Sequence, residues 1–369
     1  MFKKVKINSF RGISSLEIDD LRRINLFVGK NNCGKTSVLE GIYLLSDYMH
    51  PQKVLNINRA RGLMEFSIGG GEPKVNEDML RSIFYNLDAN NYAKITGYVA
   101  NDEKRELVIR PHHEIKEYYD KDKYKLSYDF NTLLTEINGF ILEYTLSYPT
   151  GNDIKVCWEI EIQPPNIVNI NLKNSLDREK LKRYIYKNSG IFISPRISIF
   201  ETADRLKEIQ KNKQTKKIAQ ILKKIENRIK DLQVIDNIVY CDVEGVDSLV
   251  PVNIMGDGIL KILSIITSIY NARDGYVFID EIENGLHYSS LEILWRGIFE
   301  ASKEFNVQIF ATTHSWECID AYRKVYDEYA NEIEGIKLYR IEKEDDSFLA
   351  IDYDEDSIKV ALEEKWEVR

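Results

Sequence analysis

The fold of this chain is decided by the stretch Gly29-Lys30-Asn31-Asn32-Cys33-Gly34-Lys35-Thr36, which matches the pattern GxxxxGK[ST]. The apolar run Ile24–Val28 precedes it, and Thr36–Leu45, with apolar residues at helical spacing, follows it. In the order strand, glycine loop, helix, the backbone N–H groups of the loop and the helix N-terminus converge on an anion. We therefore predict a phosphate-binding loop, the Walker A motif, rather than a structural glycine turn.

Two side chains of the loop have predicted roles in nucleotide binding. Lys35 is expected to neutralise the β- and γ-phosphates, and the hydroxyl of Thr36 to bind a Mg²⁺ ion that bridges phosphate oxygens. The sequence has no NKxD motif, which recognises guanine. Adenine is therefore preferred by default, and the expected nucleotide is ATP. The predicted nucleotide-binding residues of the loop and the helix start are Gly29, Asn31, Asn32, Cys33, Gly34, Lys35, Thr36 and Ser37.

A second apolar run, Tyr276–Ile279, ends in the carboxylates Asp280 and Glu281, which is the Walker B arrangement. Asp280 is expected to hold the Mg²⁺ ion, directly or through water. Glu281, just beyond the strand, is expected to orient or deprotonate the attacking water as a general base. Glu283 is a nearby alternative for that role. The two motifs together predict hydrolysis of ATP, with Lys35 and Glu281 among the catalytic residues.

Two further motifs flank the Walker B strand. Upstream, Asn253–Lys261 forms a glycine-containing turn that opens the amphipathic helix Ile259–Tyr270, which offers a second helix N-terminus to an anion. Downstream, Phe310–Ser315 places His314 at the end of the next strand. Because the ends of neighbouring strands converge on the ligand in a doubly wound sheet, His314 is predicted to reach the γ-phosphate or the attacking water.

The composition is that of an ordered globular protein. The 369 residues are 43% hydrophobic and 30% charged with only 8 prolines, enough for one large α/β domain or two modest ones. The net charge of −8 argues against a surface that is basic all over, but does not settle nucleic-acid binding. Four well-separated cysteines suggest neither disulfides nor zinc. With no signal peptide and no long apolar run, we expect a cytoplasmic protein without membrane contact.

The rest of the pattern predicts α/β structure with an antiparallel part. At the start of the chain, alternating apolar and polar residues predict two strands around the turn Phe10-Arg11-Gly12. Over Asp88–Asn171, short segments with the same alternation predict antiparallel β-structure. The last third alternates strands and helices, which implies a sheet covered by helices. Its predicted strands are 276–279, 307–311, 336–341 and 348–353, and its predicted helices are 289–302, 316–329 and 357–364.

Between these parts, Thr202–Leu232 carries apolar residues at three- and four-residue intervals among many lysines. This spacing predicts a helical insertion that is broken near Asn212. We favour a solvated helix pair packed on the core over a dedicated DNA or partner surface, with the lysines kept as candidate contacts.

The order Walker A, glycine turn, Walker B and histidine resembles ATP-binding-cassette (ABC) ATPases of the chromosome-maintenance, double-strand-break-repair and RecF group. It most closely resembles the overcoming-lysogenization-defect (OLD) type. Gly256 lies about 24 residues before Asp280, and His314 about 34 after it, which is cassette-like spacing. The resemblance implies a P-loop NTPase of the α/β class, an ABC-type ATPase head with an antiparallel β subdomain and a short helical insertion.

The resemblance also implies how the chain is divided. It implies a single ABC-type ATPase domain over residues 1–369. Its predicted parts are an N-terminal lobe with Walker A (1–110), a β-rich middle part (111–200), a helical insertion (201–235), and a C-terminal lobe with signature, Walker B and histidine switch (236–369).

Further nucleotide contacts follow from the resemblance alone. Arg11 matches the Phe-Arg-Gly turn that packs near the nucleotide in this group, and Gln52 is the candidate for the glutamine loop. The signature, which in the family contacts the γ-phosphate of ATP held by the opposite subunit, implies a homodimer or higher oligomer with composite sites. At the start of the signature, this sequence has Asp257 where many cassettes have serine. After Walker B, it has His287 where transporter cassettes have aspartate. The signature positions are Gly256, Asp257, Gly258 and Lys261.

The implied role is that of an ATP-driven switch or motor for a separate effector. Only about 30 residues suit a coiled coil, which excludes a chromosome-bridging arm. The 55 residues after His314 are predicted to close the head rather than to form a Toprim nuclease domain. A surface turn is predicted for the acidic cluster Asp352, Asp354, Glu355 and Asp356.

In the family, stand-alone ATPases often pair with a separately encoded nuclease or toxin in phage defence, which is the leading hypothesis. One alternative is a RecF-like clamp that closes on DNA in repair. Another is a nucleotide sensor that does not hydrolyse ATP, for which Glu281 would be dispensable.

Overall fold

A computed structural model describes residues 1–63, 77–115, 135–151, 153–163, 167–173, 190–195, 199–224, 226–329, 335–353, 357 and 360. These residues form three β-sheets and the helices around them. The strands are β1 Phe2–Phe10, β2 Ile13–Ile18, β3 Ile24–Val28, β4 Ala93–Val99, β5 Lys104–Ile115, β6 Thr135–Ser147, β7 Ile154–Gln163, β8 Ile167–Leu172, β9 Gly190–Ile193, β10 Ile229–Ile235, β11 Ile238–Val243, β12 Val250–Pro251, β13 Tyr276–Ile279, β14 Gln308–Thr312, β15 Ile336–Glu344 and β16 Ser347–Tyr353.

Helices occupy the connections between these strands. The α-helices are α1 Lys35–Leu45, α2 Lys53–Ala60, α3 Glu77–Arg81, α4 Ile199–Lys211, α5 Thr215–Leu222, α6 Asp257–Asn271, α7 Leu291–Glu304 and α8 Trp316–Tyr329. Short 3-10 helices lie at Tyr85–Leu87, Ala100–Asp102, Val252–Ile254 and Tyr288–Ser290.

The central sheet has the strand order β16-β15-β3-β14-β13-β9, with all pairs parallel except β15 and β16. All five residues of β3 are buried, as expected for a parallel strand covered on both faces. Because β3, β14 and β13 are neighbours with the same direction, the chain segments that follow them emerge at one edge of the sheet. This edge carries the Walker A loop, the Walker B carboxylates and the segment before α8. The strands and helices of the last third of the chain alternate as predicted, so the predicted sheet covered by helices is confirmed.

A second, antiparallel sheet has the order β2-β1-β4-β5-β6-β7-β8 and confirms the predicted antiparallel region. Helix α1 packs between the two sheets, against β1 and β4 on one side and β13 and β14 on the other. Phe278 and Phe310 of the central sheet belong to this core, whereas Val277 and Ile309 point to the opposite core under α4–α8. The Walker A helix is therefore held from both sides.

The helical insertion is only partly as predicted. Helices α4 and α5 are separated near Asn212, but the helical periodicity predicted as far as Leu232 is wrong beyond α5, because Ile229–Ile235 is the strand β10. A register shift between Ile229 and Asp231 in its pairing with β11 lets Ile229 and Leu232, three residues apart, both be buried. The buried residues of this strand therefore have the three-residue spacing that is typical of a helix.

The last third of the chain agrees with the sequence-based elements. Helix α8 has the predicted limits, and α7 and strands β13 to β16 lie within a few residues of theirs. The helix predicted at 357–364 lies almost entirely outside the described residues, as do positions 354–356 of the acidic cluster. Asp352 is in β16, where its carboxylate pairs with Lys337 at 2.9 Å. Among the described residues no helix is long and apolar enough to cross a membrane.

Candidate nucleotide-binding and hydrolysis site

A cavity of about 950 Å³ opens at the carboxyl edge of the central sheet. It collects side chains from the β1–β2 turn, the Walker A loop, the ends of β13 and β14, and the β15–β16 hairpin. The predicted site residues that line it are Arg11, Asn31, Asn32, Gly34, Lys35, Thr36, Ser37, Asp280, Glu281 and His314. The fold thus brings together residues that are up to about 300 positions apart in the sequence.

The Walker A loop depends on glycine at two positions. Gly29 has φ 141° and Gly34, which caps α1, has φ 94°, in a region that favours glycine. A Cβ on Gly29 would lie 2.5 Å from the carbonyl oxygen of Ile341 and 2.8 Å from the Sγ of Cys33. The side chain of Cys33 is buried, and Cys33 does not line the cavity.

The ammonium of Lys35 lies across the loop. Its Nζ donates to the carbonyl oxygens of Gly29, at 2.7 Å, and Lys30, at 2.8 Å. These neutral acceptors leave the charge of Lys35 uncompensated by a carboxylate among its hydrogen-bond partners. The ammonium therefore suits an anion bound at the start of α1.

Oxygen ligands suited to Mg²⁺ meet beside this lysine. The Oγ1 of Thr36 donates to Oδ1 of Asp280 at 3.0 Å, and the Oγ1 of Thr312 donates to the same oxygen at 2.7 Å. Asp280 is buried, and burial raises the pKa of its carboxyl group. In the described part of the chain no group of three or more His, Cys, Asp or Glu could hold a metal. A hydroxyl and one carboxylate fit Mg²⁺, which takes few protein ligands where phosphates supply the others.

Glu281 follows Asp280 in a strained conformation. Its φ of 46° is unusual for a residue other than glycine, and its N–H donates to the Oγ1 of Thr312 at 2.8 Å. Strained residues of this kind occur at functional sites, where the surrounding structure holds them in place. The turn brings Glu281, half-buried, to the wall of the cavity.

His314 is fixed by Glu283 on the neighbouring segment. Oε1 of Glu283 accepts from the backbone N–H of His314 at 3.0 Å and lies 2.9 Å from its Nδ1. Glu283 does not line the cavity, whereas Glu281 and His314 do. The geometry therefore favours Glu281 over Glu283 as the base candidate.

A buried ion cluster forms the wall behind Walker A. The guanidinium of Arg11 is 4% exposed and donates from Nε to Glu40 at 2.7 Å and from Nη2 to Asn58 at 2.8 Å. Burial lowers the pKa of Arg11 to about 10. The Nε of Arg61 donates to the other oxygen of Glu40 at 2.7 Å, and Arg61 is one-third exposed at the cavity. Arg61 is a candidate phosphate ligand that carries no motif in the sequence.

Apolar residues that the sequence did not predict also line the cavity. They are Leu63, Phe84, Leu87 and Phe348, and the ring of Phe348 lies 3.3 Å from the ideal Cβ position of Gly34 in the Walker A loop. A cavity lined by both apolar and polar side chains suits a nucleotide, which has an aromatic base and charged phosphates. These residues lack a recognisable motif because they come from three separate segments.

The predicted signature lies away from this cavity. Gly256 precedes α6 with φ 105°, and Gly258 faces Leu286, with 3.6 Å between its ideal Cβ position and that side chain. The side chain of Asp257 is outside the described residues. Gly256 and Gly258 do not line the cavity, nor does Gln52, which precedes α2. Within one chain the signature therefore does not meet the Walker A loop.

The prediction for Lys261 is corrected by the structure. Its side chain is 0% exposed, because α6 turns this position towards the core. Burial lowers the pKa of Lys261 to about 8. A lysine enclosed in this way cannot reach a nucleotide held by another subunit.

The fold and the site define the class of the protein, a P-loop ATPase with an ABC-type head. Residues 1–319 match the family described as AAA ATPase domain, and the chain belongs to this family. Over 362 residues the chain is 23% identical to an ATP/GTP phosphatase of Helicobacter pylori, covering 95% of this chain and 94% of that protein. The protein is therefore an enzyme that hydrolyses ATP.

Two other comparisons place the chain among related proteins. It is 25% identical over 367 residues to Endonuclease GajA of Bacillus cereus, covering 81% of this chain but only 52% of GajA. A solved SmcHead, bound to the C-winged helix domain of ScpA, superposes with a TM-score of 0.51 at 12% identity, covering 98% of this chain and 99% of that one. The second likeness shows the ABC-type head fold.

Proposed function

We propose that this protein is a Mg²⁺-dependent ATPase switch whose catalytic site is completed by a second copy of the chain. The observation that carries the proposal is the meeting of Thr36 and Asp280, 3.0 Å apart, beside the ammonium of Lys35. A hydroxyl, a carboxylate and a lysine at the start of a helix are the groups needed to hold Mg²⁺ and a triphosphate.

Five residues of the cavity have a role in this proposal. Thr36 and Asp280 hold Mg²⁺, which neutralises charge on the β- and γ-phosphates when bound. Lys35 binds the same phosphates. Glu281 orients the attacking water and accepts its proton, and His314, fixed by Glu283, contacts the γ-phosphate or the water.

The second copy supplies its signature in the proposed assembly. Gly256 and Gly258 lie outside the cavity of their own chain, so they are available to the nucleotide of another copy. Two large apolar side chains near these glycines are exposed. Ile254, two residues before Gly256, is 71% exposed, and Tyr288, two residues after the Leu286 that faces Gly258, is 67% exposed. Exposed apolar side chains of this kind favour burial against a protein surface.

For the biological role, we propose control of a separately encoded nuclease or toxin in anti-phage defence. The likeness to Endonuclease GajA supports an ATPase that works with a nuclease. The alternative, a DNA clamp, has support from a short stretch only: 35% identity over 72 residues to the DNA replication and repair protein RecF of Coxiella burnetii, covering 18% of this chain and 20% of RecF. Lysines of the insertion pair with carboxylates, as in Lys217 with Glu304, which reduces the charge available to DNA.

The catalytic proposal is tested by comparing wild type with Lys35→Ala and Glu281→Gln. Lys35→Ala should lose ATP binding, because the main cation at the phosphates is gone. Glu281→Gln should bind ATP but turn over at least about 100-fold more slowly, as expected on losing a general base. Glu292→Gln, on the surface of α7, is the matched control and should behave as wild type.

The assembly is measured on the same samples by size-exclusion chromatography with light scattering. Glu281→Gln with ATP should elute as a dimer or larger species, and Lys35→Ala should not. A Glu281→Gln variant that turns over ATP at the wild-type rate would contradict the assigned base and favour Glu283.

The two biological roles differ in the partner that the protein binds. A DNA clamp requires ATP-dependent DNA binding that falls steeply with salt, since phosphate contacts release counterions. An effector switch requires that a nuclease or toxin co-purifies from the native host and dissociates on ATP addition. Repeated capture without such a partner, together with salt-sensitive DNA binding, would favour the clamp.

A further inference from the structure

Two charged side chains near the Walker B strand each hold a buried polar atom that makes no hydrogen bond within the described part of the chain. The Nζ of Lys261 has no hydrogen-bond partner among the described residues, and neither does Oε2 of Glu283. Lys261 is 0% exposed, and the side chain of Glu283 is 12% exposed. Buried charges without partners are costly, so a protein retains them where they have a use.

The start of α6 packs on the chain segment that carries Glu283. The ideal Cβ position of Gly258, one turn before Lys261 on the same face of α6, lies 3.6 Å from the side chain of Leu286. Glu283, ahead of Asp280 and Glu281, opposes the lowering of the Lys261 pKa by burial. Because Nζ of Lys261 and Oε2 of Glu283 are both buried, little solvent screens their attraction, and Glu283 is the counter-charge of Lys261 without a hydrogen bond between them.

The other oxygen of Glu283 is committed to His314. It accepts from the backbone N–H at 3.0 Å and lies 2.9 Å from Nδ1. A carboxylate that accepts from Nδ1–H fixes the ring orientation and leaves Nε2 with its lone pair. Since His314 lines the cavity, Nε2 is the ring nitrogen available to the γ-phosphate or the water.

We propose that Lys261 is a positioning residue for ATP hydrolysis, which stabilises the Glu283 carboxylate so that this group can orient His314. The proposal rests on the proposed role of His314 in the site. It explains why a lysine is buried at the start of α6 without a hydrogen bond. Because α6 begins at the signature, a displacement of α6 by a second copy would change the separation of Lys261 and Glu283, and with it the orientation of His314.

The test is a double-mutant cycle between Lys261→Met and His314→Ala, measured by steady-state ATP hydrolysis and by binding of a non-hydrolysable ATP analogue. Lys261→Met should lower kcat by up to about 10- to 100-fold, the loss expected when Glu283, the partner of His314, no longer orients the ring. The KM and the affinity for the analogue should stay as in wild type, and Lys261→Arg should recover part of kcat. Because Lys261 acts through His314, the double variant should be no slower than His314→Ala alone.

Two controls separate a positioning role from a structural one. Lys217→Met removes an exposed lysine of α5 and should leave kcat unchanged. Glu283→Gln keeps a side chain of the same shape. It therefore tests the coupling to His314 even where Lys261→Met folds poorly. It should lower kcat to a similar extent, and adding His314→Ala should give no further loss.

Three results would overturn the inference: unchanged kcat in Lys261→Met and Glu283→Gln, losses that multiply with His314→Ala, or a loss of analogue affinity equal to the loss of kcat. The proposed function fails separately. If His314→Ala and Glu281→Gln both retain wild-type turnover, the assigned site is wrong. If those two variants are impaired while Lys261→Met and Glu283→Gln are not, only the role of Lys261 is refuted.

Discussion

The buried carboxylate of Glu40 offers a sharp test of how the wall behind the Walker A loop is held together. Glu40 lies in α1, is 1% exposed and accepts from Arg11 at 2.7 Å and from Arg61 at 2.7 and 3.0 Å. The substitution Glu40→Gln keeps the shape of the side chain but removes its charge. One amide oxygen then remains to accept hydrogen bonds from two guanidinium groups.

The magnitude follows from the bonds that are lost. Hydrogen bonds to charged groups contribute about 1.5–3 kcal/mol each, and glutamine can replace at most one or two of the three. Arg11, at 4% exposure, would be left as a buried cation without a counter-charge. Removing one partner of a buried ion pair costs about 3–5 kcal/mol, and we expect a loss of that size in the free energy of unfolding.

Urea unfolding followed by circular dichroism measures this change directly. Glu143→Gln is the matched control, because Glu143 is 46% exposed and pairs with Arg110 at the surface. That control should leave the unfolding midpoint unchanged. A loss below about 1 kcal/mol for Glu40→Gln would refute the view that this ion cluster stabilises the wall, since even one charged hydrogen bond exceeds that value. ATP should also bind more weakly to Glu40→Gln, because Arg61 loses its anchor at the cavity.

Three further outcomes are expected. Asp280→Asn should raise the Mg²⁺ concentration that gives half-maximal ATP hydrolysis by about tenfold or more, measured by metal titration, because a neutral amide is a weaker ligand. Thr312→Val removes the hydroxyl that bonds Asp280 at 2.7 Å and the N–H of Glu281 at 2.8 Å, so kcat should fall while Thr312→Ser retains it. Burial lowers the pKa of Lys53 to about 8, so the unfolded chain binds more protons above that pH and stability rises with pH. Relative to Lys53→Met, the wild-type free energy of unfolding should increase by about 2 kcal/mol between pH 7.5 and 9.5, and a flat difference would contradict the shift.

Those parts of the site that carry a local motif were predictable from the sequence. The loop from Gly29 to Thr36, the strand before Asp280 and the segment around His314 each combine an apolar run with polar residues at its end. Parallel strands place such ends at one edge of a sheet, so their meeting followed from the pattern. The limits of α8 were also correct, because its apolar spacing is regular over the whole helix.

What the sequence could not reveal depends on tertiary contacts. Arg61 reaches the cavity because Glu40, 21 positions earlier, holds it, and no local pattern marks that pair. Lys261 follows a glycine turn and was assigned to a surface contact, but the packing of α6 buries it. Strand β10 was mistaken for helix because its register shift brings residues three apart into the core. In each case long-range packing overrides the local signal.

The central position of β3 has a consequence for synthesis of the chain on the ribosome. Its neighbours in the sheet, β14 and β15, are translated about 280 and 310 residues later, on the order of 15 to 60 s at usual elongation rates. Until then both edges of a strand that is fully buried in the finished fold lack their pairing partners, so the nascent chain has to be shielded from aggregation by α1, by the antiparallel sheet or by a chaperone. A nascent chain that stalls before β14 would therefore display the Walker A loop without a Walker B strand beside it, and we expect it to bind no nucleotide and to be removed by proteases.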